Sequence, residues 1–77
     1  MELRKVFAKN LRALRVGAGL SQEELAFRAD IDRTYVSALE RGIYSASIAT
    51  IEKLAKALGA EPAAFLKRRG KGSARRS

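Results

Sequence analysis

Residues 20–42, with the sequence LSQEELAFRADIDRTYVSALERG, contain two helix starts in close succession. Ser21 is a favoured N-cap residue, and Glu24 stands three positions later, which is the spacing of a capping box. Asp32 is a second favoured N-cap residue. Hydrophobic residues flank the box as a staple, namely Leu20 and Leu25. The spacing predicts two short helices in immediate succession.

The turn between these two helices is predicted to be very short. The first of them ends near Asp30, so only Asp30 and Ile31 are left before the next N-cap residue. Its predicted inward residues are Leu25, Ala26 and Ala29. Two of the three are small, which lets another helix approach closely at a steep crossing angle.

The second helix has one apolar side and one mixed polar side. Val36 and Leu39 are expected to be buried, and Ile43 is expected to fold back beyond the glycine stop at Gly42. The opposite face collects Arg33, Thr34, Ser37, Ala38 and Arg41. A polar face alone is usually only solvated. Because these side-chain types also contact base edges, and because a capped helix and a tight turn precede them, we expect a helix-turn-helix that enters the major groove of DNA.

Helical periodicity extends through both flanks of this pair. A first helix is predicted from Glu2 to Val16 with core residues Leu3, Val6, Phe7, Leu11 and Leu14. A fourth helix begins after the cap residue Ser47, has core residues Ile48, Ile51, Leu54, Ala55 and Leu58, and ends at Gly59. A fifth is predicted from Pro62 to about Arg68. The expected fold class is all-α, a compact bundle of five helices.

Charge divides the chain into a domain and a tail. The chain has 77 residues and a formal net charge of +8. Residues 1–60 have 10 basic and 7 acidic side chains, whereas residues 61–77 have 6 basic and 1 acidic. We therefore expect one domain at residues 1–69 and a basic disordered tail at 70–77. The tail either attracts phosphate groups or serves only as a solubilising segment.

The sequence lacks the residues of most catalytic and metal sites. There is no cysteine and no histidine, so zinc sites of the usual types and Cys-His or Ser-His-Asp nucleophiles are excluded. Most carboxylates are explained as helix caps or surface charges. We expect no enzymatic activity, no metal and no cofactor. No apolar segment is long enough to span a membrane and the N-terminus lacks the apolar core of a secretory signal, so the expected location is the cytoplasm, on the nucleoid.

The order of these motifs resembles a known family. LRALRVGAGLSQEELA precedes the turn, and ALERG followed by SIATIEKLAKALGAEP comes after it. Over about residues 3–68 the chain is similar to the helix-turn-helix regulators of the Cro and phage-repressor type, also called the Xre family. The resemblance implies a lambda-repressor-like fold that binds double-stranded DNA.

The resemblance also implies roles for individual residues. It places Gln22, Arg33, Thr34, Tyr35, Ser37 and Ala38 at the DNA, and it implies a buried or half-buried ion pair between Arg15 and Glu40. We expect bases to be contacted by Arg33, Thr34, Tyr35, Ser37 and Ala38. The expected phosphate contacts are Gln22, Arg41, Tyr44, Ser45, Ser47, Lys9 and Arg12, although Lys9 and Arg12 could equally face water.

Phe65 and Leu66 have two interpretations. They either close the core of the bundle or form the centre of a two-fold interface, or one residue does each. A core of this size is only modestly stable, so a homodimer is expected. A symmetric dimer would place two recognition helices about 34 Å apart, on a palindromic operator.

Three functions remain open for a DNA-binding regulator of this family resemblance. The run DRTYVSALERG is similar to that of the controller proteins of restriction-modification systems, dimeric activators and repressors of their own operon, for which RNA polymerase is a candidate partner. Phage-type repressors share much of the run. An antitoxin that also masks a protein partner is the third, with no small-molecule ligand expected in any of them. Binding to RNA or to an anionic membrane is disfavoured because neither would require the tight turn.

Overall fold

The computed structural model describes residues 3–68, which form four α-helices and one short 3-10 helix. The α-helices are α1 (Leu3–Gly17), α2 (Gln22–Ala29), α3 (Arg33–Glu40) and α4 (Ile48–Leu58), and the 3-10 helix is Pro62–Leu66. Within residues 3–68 there is no strand, so the all-α class is confirmed. The predicted tail at 70–77, the domain boundary at 69 and the predicted helix start at Glu2 lie outside the described residues. No helix in the described part of the chain is long and apolar enough to cross a membrane.

The fifth element is not the α-helix that we predicted. Its backbone bonds span three residues, as in the 2.9 Å bond from the Ala64 amide to the Glu61 carbonyl. The buried side chain of Asn10 donates through Nδ2 to the carbonyl oxygens of Phe65, at 2.9 Å, and Lys67, at 2.7 Å. Because these acceptors are satisfied by a side chain from α1, the segment can stop after one short helix.

The predicted helix caps are present in the structure. The Ser21 hydroxyl accepts from the Glu24 amide at 3.0 Å, and the Ser47 hydroxyl accepts from the Thr50 amide at 3.1 Å. The second half of the capping box is absent, because the Glu24 carboxylate accepts from Arg28 Nε at 3.1 Å instead. Local sequence therefore sets the helix starts in the way that the pattern indicated.

The core lies where the first, second, third and fourth helices meet. Its fully or nearly fully buried residues include Phe7, Leu11, Leu25, Ala26, Ala29, Val36, Leu39, Leu54 and Ala55. The placement of Leu3 and Ile48 in the core is wrong, since they are 54% and 78% exposed. Each is the first residue of its helix. An apolar residue can therefore lie on the buried face of its helix by periodicity and still be exposed, because the end of the helix extends past the core.

Phe65 belongs to this core. It is 0% exposed, and its ring centroid lies 5.5 Å from that of Phe7. The interpretation of Phe65 as a dimer-interface residue is therefore wrong, because a side chain buried within one chain has no surface left for a second copy. Leu66 is 43% exposed and keeps that possibility open.

A buried ion pair joins α1 to the end of α3. Arg15 Nε lies 2.6 Å from Glu40 Oε2, and Arg15 Nη2 lies 3.0 Å from Glu40 Oε1. Arg15 Nη1 donates to the Leu20 carbonyl oxygen at 2.8 Å. The hydrogen bond to Glu40 raises the pKa of the Arg15 guanidinium above its usual value, although burial opposes this. The guanidinium therefore stays charged at any physiological pH.

Removal of either partner of this ion pair should destabilise the domain. Arg15→Ala strands a carboxylate of which only 3% of the side chain is exposed, and Glu40→Ala strands a guanidinium of which 10% is exposed. We expect a loss of about 3–5 kcal/mol in the free energy of unfolding for each variant, measured by urea denaturation.

The matched control is Arg28→Ala. Arg28 and Glu24 form an ion pair at 3.1 Å whose side chains are 52% and 48% exposed, so we expect a loss of less than about 1 kcal/mol. Melting like that of the unmodified chain in both the Arg15 and Glu40 variants would show that the pair does not hold the helices together.

Candidate nucleic-acid interface

The turn between α2 and α3 is as short as the sequence indicated. Asp30 takes the left-handed conformation, with φ 59°, and its amide caps the carbonyls at the end of α2. The Ile31 amide donates to the Ala26 carbonyl at 3.0 Å, and the Ile31 side chain packs against the core. α3 therefore begins immediately after the chain reverses, with its start fixed to the end of α2.

The first turn of α3 presents polar side chains whose positions are set by its cap. Arg33 and Thr34 are exposed. The Asp32 carboxylate accepts from the Thr34 amide at 3.4 Å and from the Thr34 hydroxyl at 2.9 Å. Because the hydroxyl hydrogen is donated to Asp32, Thr34 has its methyl group and the lone pairs of its hydroxyl oxygen free. Arg33 forms no hydrogen bond or ion pair within residues 3–68.

The remaining predicted base-contacting residues are less accessible. Ser37 and Tyr35 are half-buried. The placement of Ala38 on the exposed face is wrong, since it is 5% exposed. The loop after α3 folds back over this position, with the Ile43 amide bound to the Ala38 carbonyl at 3.0 Å. Contact of Ala38 with a base stays a prediction, and little of its surface is available for it.

Gln22, the first residue of α2, is joined to the buried ion pair. Its Nε2 donates to Glu40 Oε1 at 3.1 Å, and its side chain is only partly exposed. One amide hydrogen and the side-chain carbonyl remain for another partner. The sequence did not indicate this bond, because Gln22 and Glu40 lie on different helices and neither motif specifies the other.

The loop between α3 and α4 lies beside the outer face of α3. Tyr44 is 55% exposed, and its ring centroid is 6.4 Å from that of Tyr35. Ser45 is exposed. The Ser47 hydroxyl accepts from the Thr50 amide at 3.1 Å and donates to the Thr50 hydroxyl at 3.0 Å, so it is engaged in the cap. A phosphate contact by Ser47 would therefore use its backbone amide.

Four basic residues of α1 are exposed. Lys9 and Arg12 are exposed, as predicted for either of their two interpretations. Arg4 Nη1 lies 3.4 Å from the Ile43 carbonyl oxygen. The side chain of Lys5 lies beside Gly42, since a Cβ atom added to Gly42 would be 3.9 Å from Lys5 Cγ. The packing of α1 against the end of α3 therefore brings these two cations to the loop, and no local motif predicts such a contact.

Arg41 completes the outer face of α3. It is exposed, and its Nε makes a long contact of 3.4 Å with the Ser37 carbonyl oxygen. Cationic side chains thus stand at both ends of α3, with hydroxyl groups between them. Such a surface combines base-edge donors and acceptors with charges for a phosphate backbone. No group of three or more acidic residues able to hold a metal ion exists within residues 3–68.

Comparisons with known proteins agree with this geometry. A hypothetical transcription factor of Neisseria meningitidis is 53% identical over 58 residues, which make up 75% of this chain but only 55% of that protein. The control protein C.BamHI of Bacillus amyloliquefaciens is 44% identical over 61 residues, 78% of this chain and 75% of that protein.

Two crystal structures show the same fold. The hypothetical transcription factor NHTF from Neisseria superposes with a TM-score of 0.85 at 47% identity, covering 88% of this chain and 78% of that one. The restriction-modification controller protein C.AhdI from Aeromonas hydrophila superposes with a TM-score of 0.78 at 47% identity, covering 80% and 94%.

The model of one protein family matches most of the chain. That family is described as helix-turn-helix, and the match extends over residues 11–65. These residues include α2, the tight turn, α3 and α4. The chain belongs to the helix-turn-helix family.

Proposed function

We propose that this chain is a sequence-specific transcriptional regulator that binds double-stranded DNA as a homodimer and controls a restriction-modification operon, its own gene included. The observation that carries the proposal is the exposed, unpartnered guanidinium of Arg33 at the start of α3. A tight turn before α3 leaves the first residues of this helix exposed at the surface of a small domain. A helix that presents a guanidinium group in its first turn fits the major groove.

Base recognition is assigned to the first turns of α3. Arg33 would donate two hydrogen bonds to O6 and N7 of a guanine, the pairing that best matches a guanidinium fork. The free methyl group of Thr34 suits a thymine methyl, and Ser37 has a hydroxyl for a base edge or a phosphate. Tyr35 stands beside them and is half-buried.

Backbone contacts are assigned to residues around this helix. The free amide hydrogen of Gln22, the Arg41 guanidinium and the backbone amides of Ser45 and Ser47 would hold phosphate groups. Arg4 and Lys5 add charge beside the loop after α3, and the exposed cations Lys9 and Arg12 are assigned to the same backbone. The donors that these groups keep free support a binding mode in which phosphates fix the register and Arg33 supplies the selectivity.

Control of a restriction-modification system is supported by the similarity to several control proteins. The similarity covers 75% of C.BamHI and 94% of the C.AhdI chain, so the helix-turn-helix domain makes up most of each protein. C.SmaI of Serratia marcescens is a further relative, at 36% identity over 70 residues. Measuring transcription from the promoter of this chain's own gene, with and without added protein, tests the autoregulatory part directly.

A phage-type repressor is the second candidate. The immunity repressor protein of Bacillus phage phi105 is 34% identical over 58 residues, which make up 40% of that protein. The controller proposal is favoured because the identity to C.BamHI is higher, at 44%. The antitoxin interpretation stays a prediction without support of this kind.

The location and the protein partners in this proposal follow from DNA as the target. Binding to chromosomal DNA places the protein in the cytoplasm, on the nucleoid, and activation of transcription would require contact with RNA polymerase. The family consists of DNA-binding regulators, and the proposal includes no enzymatic activity. The homodimer is assigned to a surface around Leu66, which is 43% exposed at the end of the 3-10 helix.

Arg33→Ala should relax sequence selectivity. Duplexes selected by the unmodified chain from a random pool should share a guanine in each half-site, and the variant should bind them no better than duplexes with that guanine replaced. We expect a loss of about 1–3 kcal/mol in discrimination at that base pair, measured as a ratio of dissociation constants.

Lys9→Ala is the control for a phosphate contact. It should weaken binding to all duplexes by about the same factor. It should also reduce the slope of the logarithm of the binding constant against the logarithm of the salt concentration by about one per subunit. If Arg33→Ala also weakened every sequence equally, Arg33 would be a backbone contact and the assignment would be wrong.

Leu66→Glu should shift the chain from dimer to monomer. A carboxylate in an apolar interface would be desolvated without a partner, while the exposed position leaves the folded chain intact. Sedimentation of the variant should give the monomer mass, with unchanged thermal unfolding at high dilution. Phe27→Glu is the control, since Phe27 is 81% exposed on α2. Dissociation by the Phe27 variant instead would place the interface on α2.

A further inference from the structure

Two tyrosines from different elements pack against one another at the proposed DNA surface. Tyr35 belongs to α3 and packs against the core, whereas Tyr44 belongs to the following loop and is 55% exposed. Their ring centroids are 6.4 Å apart and their planes are inclined by 52°. This distance and tilt lie within the favourable range for aromatic pairs. The ring of Tyr44 therefore rests against that of Tyr35.

The two rings border an open depression of about 340 Å³. It is lined by Thr34, Tyr35, Ala38, Arg41, Ile43 and Tyr44. Thr34 and Arg41 are residues of the outer face of α3, so the depression is continuous with the proposed base-contacting surface. The loop residues Ile43 and Tyr44 supply its other side.

The lining combines apolar groups, two tyrosine hydroxyls and one cation. The Thr34 hydroxyl donates its hydrogen to Asp32 at 2.9 Å, which leaves the methyl group and an acceptor oxygen, and the side chains of Ala38 and Ile43 are hydrocarbon. Arg41 is the charged member. Such a lining fits a group that is apolar itself but is attached to an anionic chain. Polar base edges without partners would lose hydration there.

Thymine is the base with such a group in the major groove. It presents its 5-methyl group there next to the O4 acceptor, beside the phosphates of its own strand. Resting on the function proposed above, we propose that Tyr44 is a specificity-determining residue that, supported by Tyr35, forms the wall of this depression against which the 5-methyl group of one thymine in each half-site packs. Arg41 binds the adjacent phosphate.

The test replaces that methyl group by hydrogen. In a duplex selected by the unmodified chain from a random pool, each thymine is exchanged for deoxyuridine, one position at a time. We expect one position per half-site at which the exchange weakens binding about fourfold, as for the loss of one methyl-sized apolar contact. If no position responds, the depression does not bind a thymine methyl.

Two variants then assign the effect to Tyr44. Tyr44→Ala should bring the thymine-to-deoxyuridine ratio at that position to about one, whereas Tyr44→Phe, which keeps the ring, should retain the fourfold ratio. Unchanged discrimination in the alanine variant, or its loss in the phenylalanine variant, would overturn the proposal. Thermal unfolding of both variants checks that the fold is intact. We expect it to be intact because Tyr44 is exposed.

The result can be separated from a failure of the proposed function. If the random pool yields no enriched duplex, the chain is not a sequence-specific DNA-binding protein. If duplexes are enriched, and the guanine preference persists in Tyr44→Ala, then the response to deoxyuridine alone decides the role of Tyr44.

Discussion

The bidentate ion pair between Arg15 and Glu40 is the interaction on which the position of α3 depends. Taking two charges out of water is costly, and here the cost is offset by short hydrogen bonds that satisfy the guanidinium, including one to the Leu20 carbonyl. Arg15 lies near the end of α1 and Glu40 is the last residue of α3. The pair therefore fixes the end of α3, while the Asp30 turn fixes its start.

The same pair reaches the proposed DNA surface through Gln22. Since Glu40 Oε1 accepts from both Arg15 and Gln22, one buried carboxylate orders the core and orients a side chain at the start of α2. The position of a proposed phosphate contact is thus set by the same group that holds the helices together. Stability and binding are coupled at this point by geometry and need no separate conformational change.

Features that depend on neighbouring residues could be predicted from the sequence, and features that depend on packing could not. The caps at Ser21, Asp32 and Ser47 follow from side chains that bind the next turn of their own helix. Ala38 is buried although helical periodicity places it on the polar face, so its burial depends on packing between elements. The Arg15–Glu40 pair was predicted only because a family resemblance implied it, since no local rule joins residues on two helices.

The proposed site shows the same division. The exposure of Arg33 and Thr34 follows from a capped helix with one apolar side. The contact of Tyr35 with Tyr44 and the bond from Gln22 to Glu40 arise only after the helices have packed. Similarly, helical periodicity alone predicted that Leu3 and Ile48 lie in the core. Both are exposed, because each is the first residue of a helix that begins outside the core.

The bonds from Asn10 to the carbonyls of Phe65 and Lys67 have a consequence for the order of folding. They connect positions that are 55 and 57 residues apart, so the chain must lose the entropy of a long loop before they form. The contacts between α2 and α3 are short-range and can form early. A nascent chain on the ribosome can therefore assemble its helical pair first, but its core stays open until the segment around Phe65 has emerged and docked against α1.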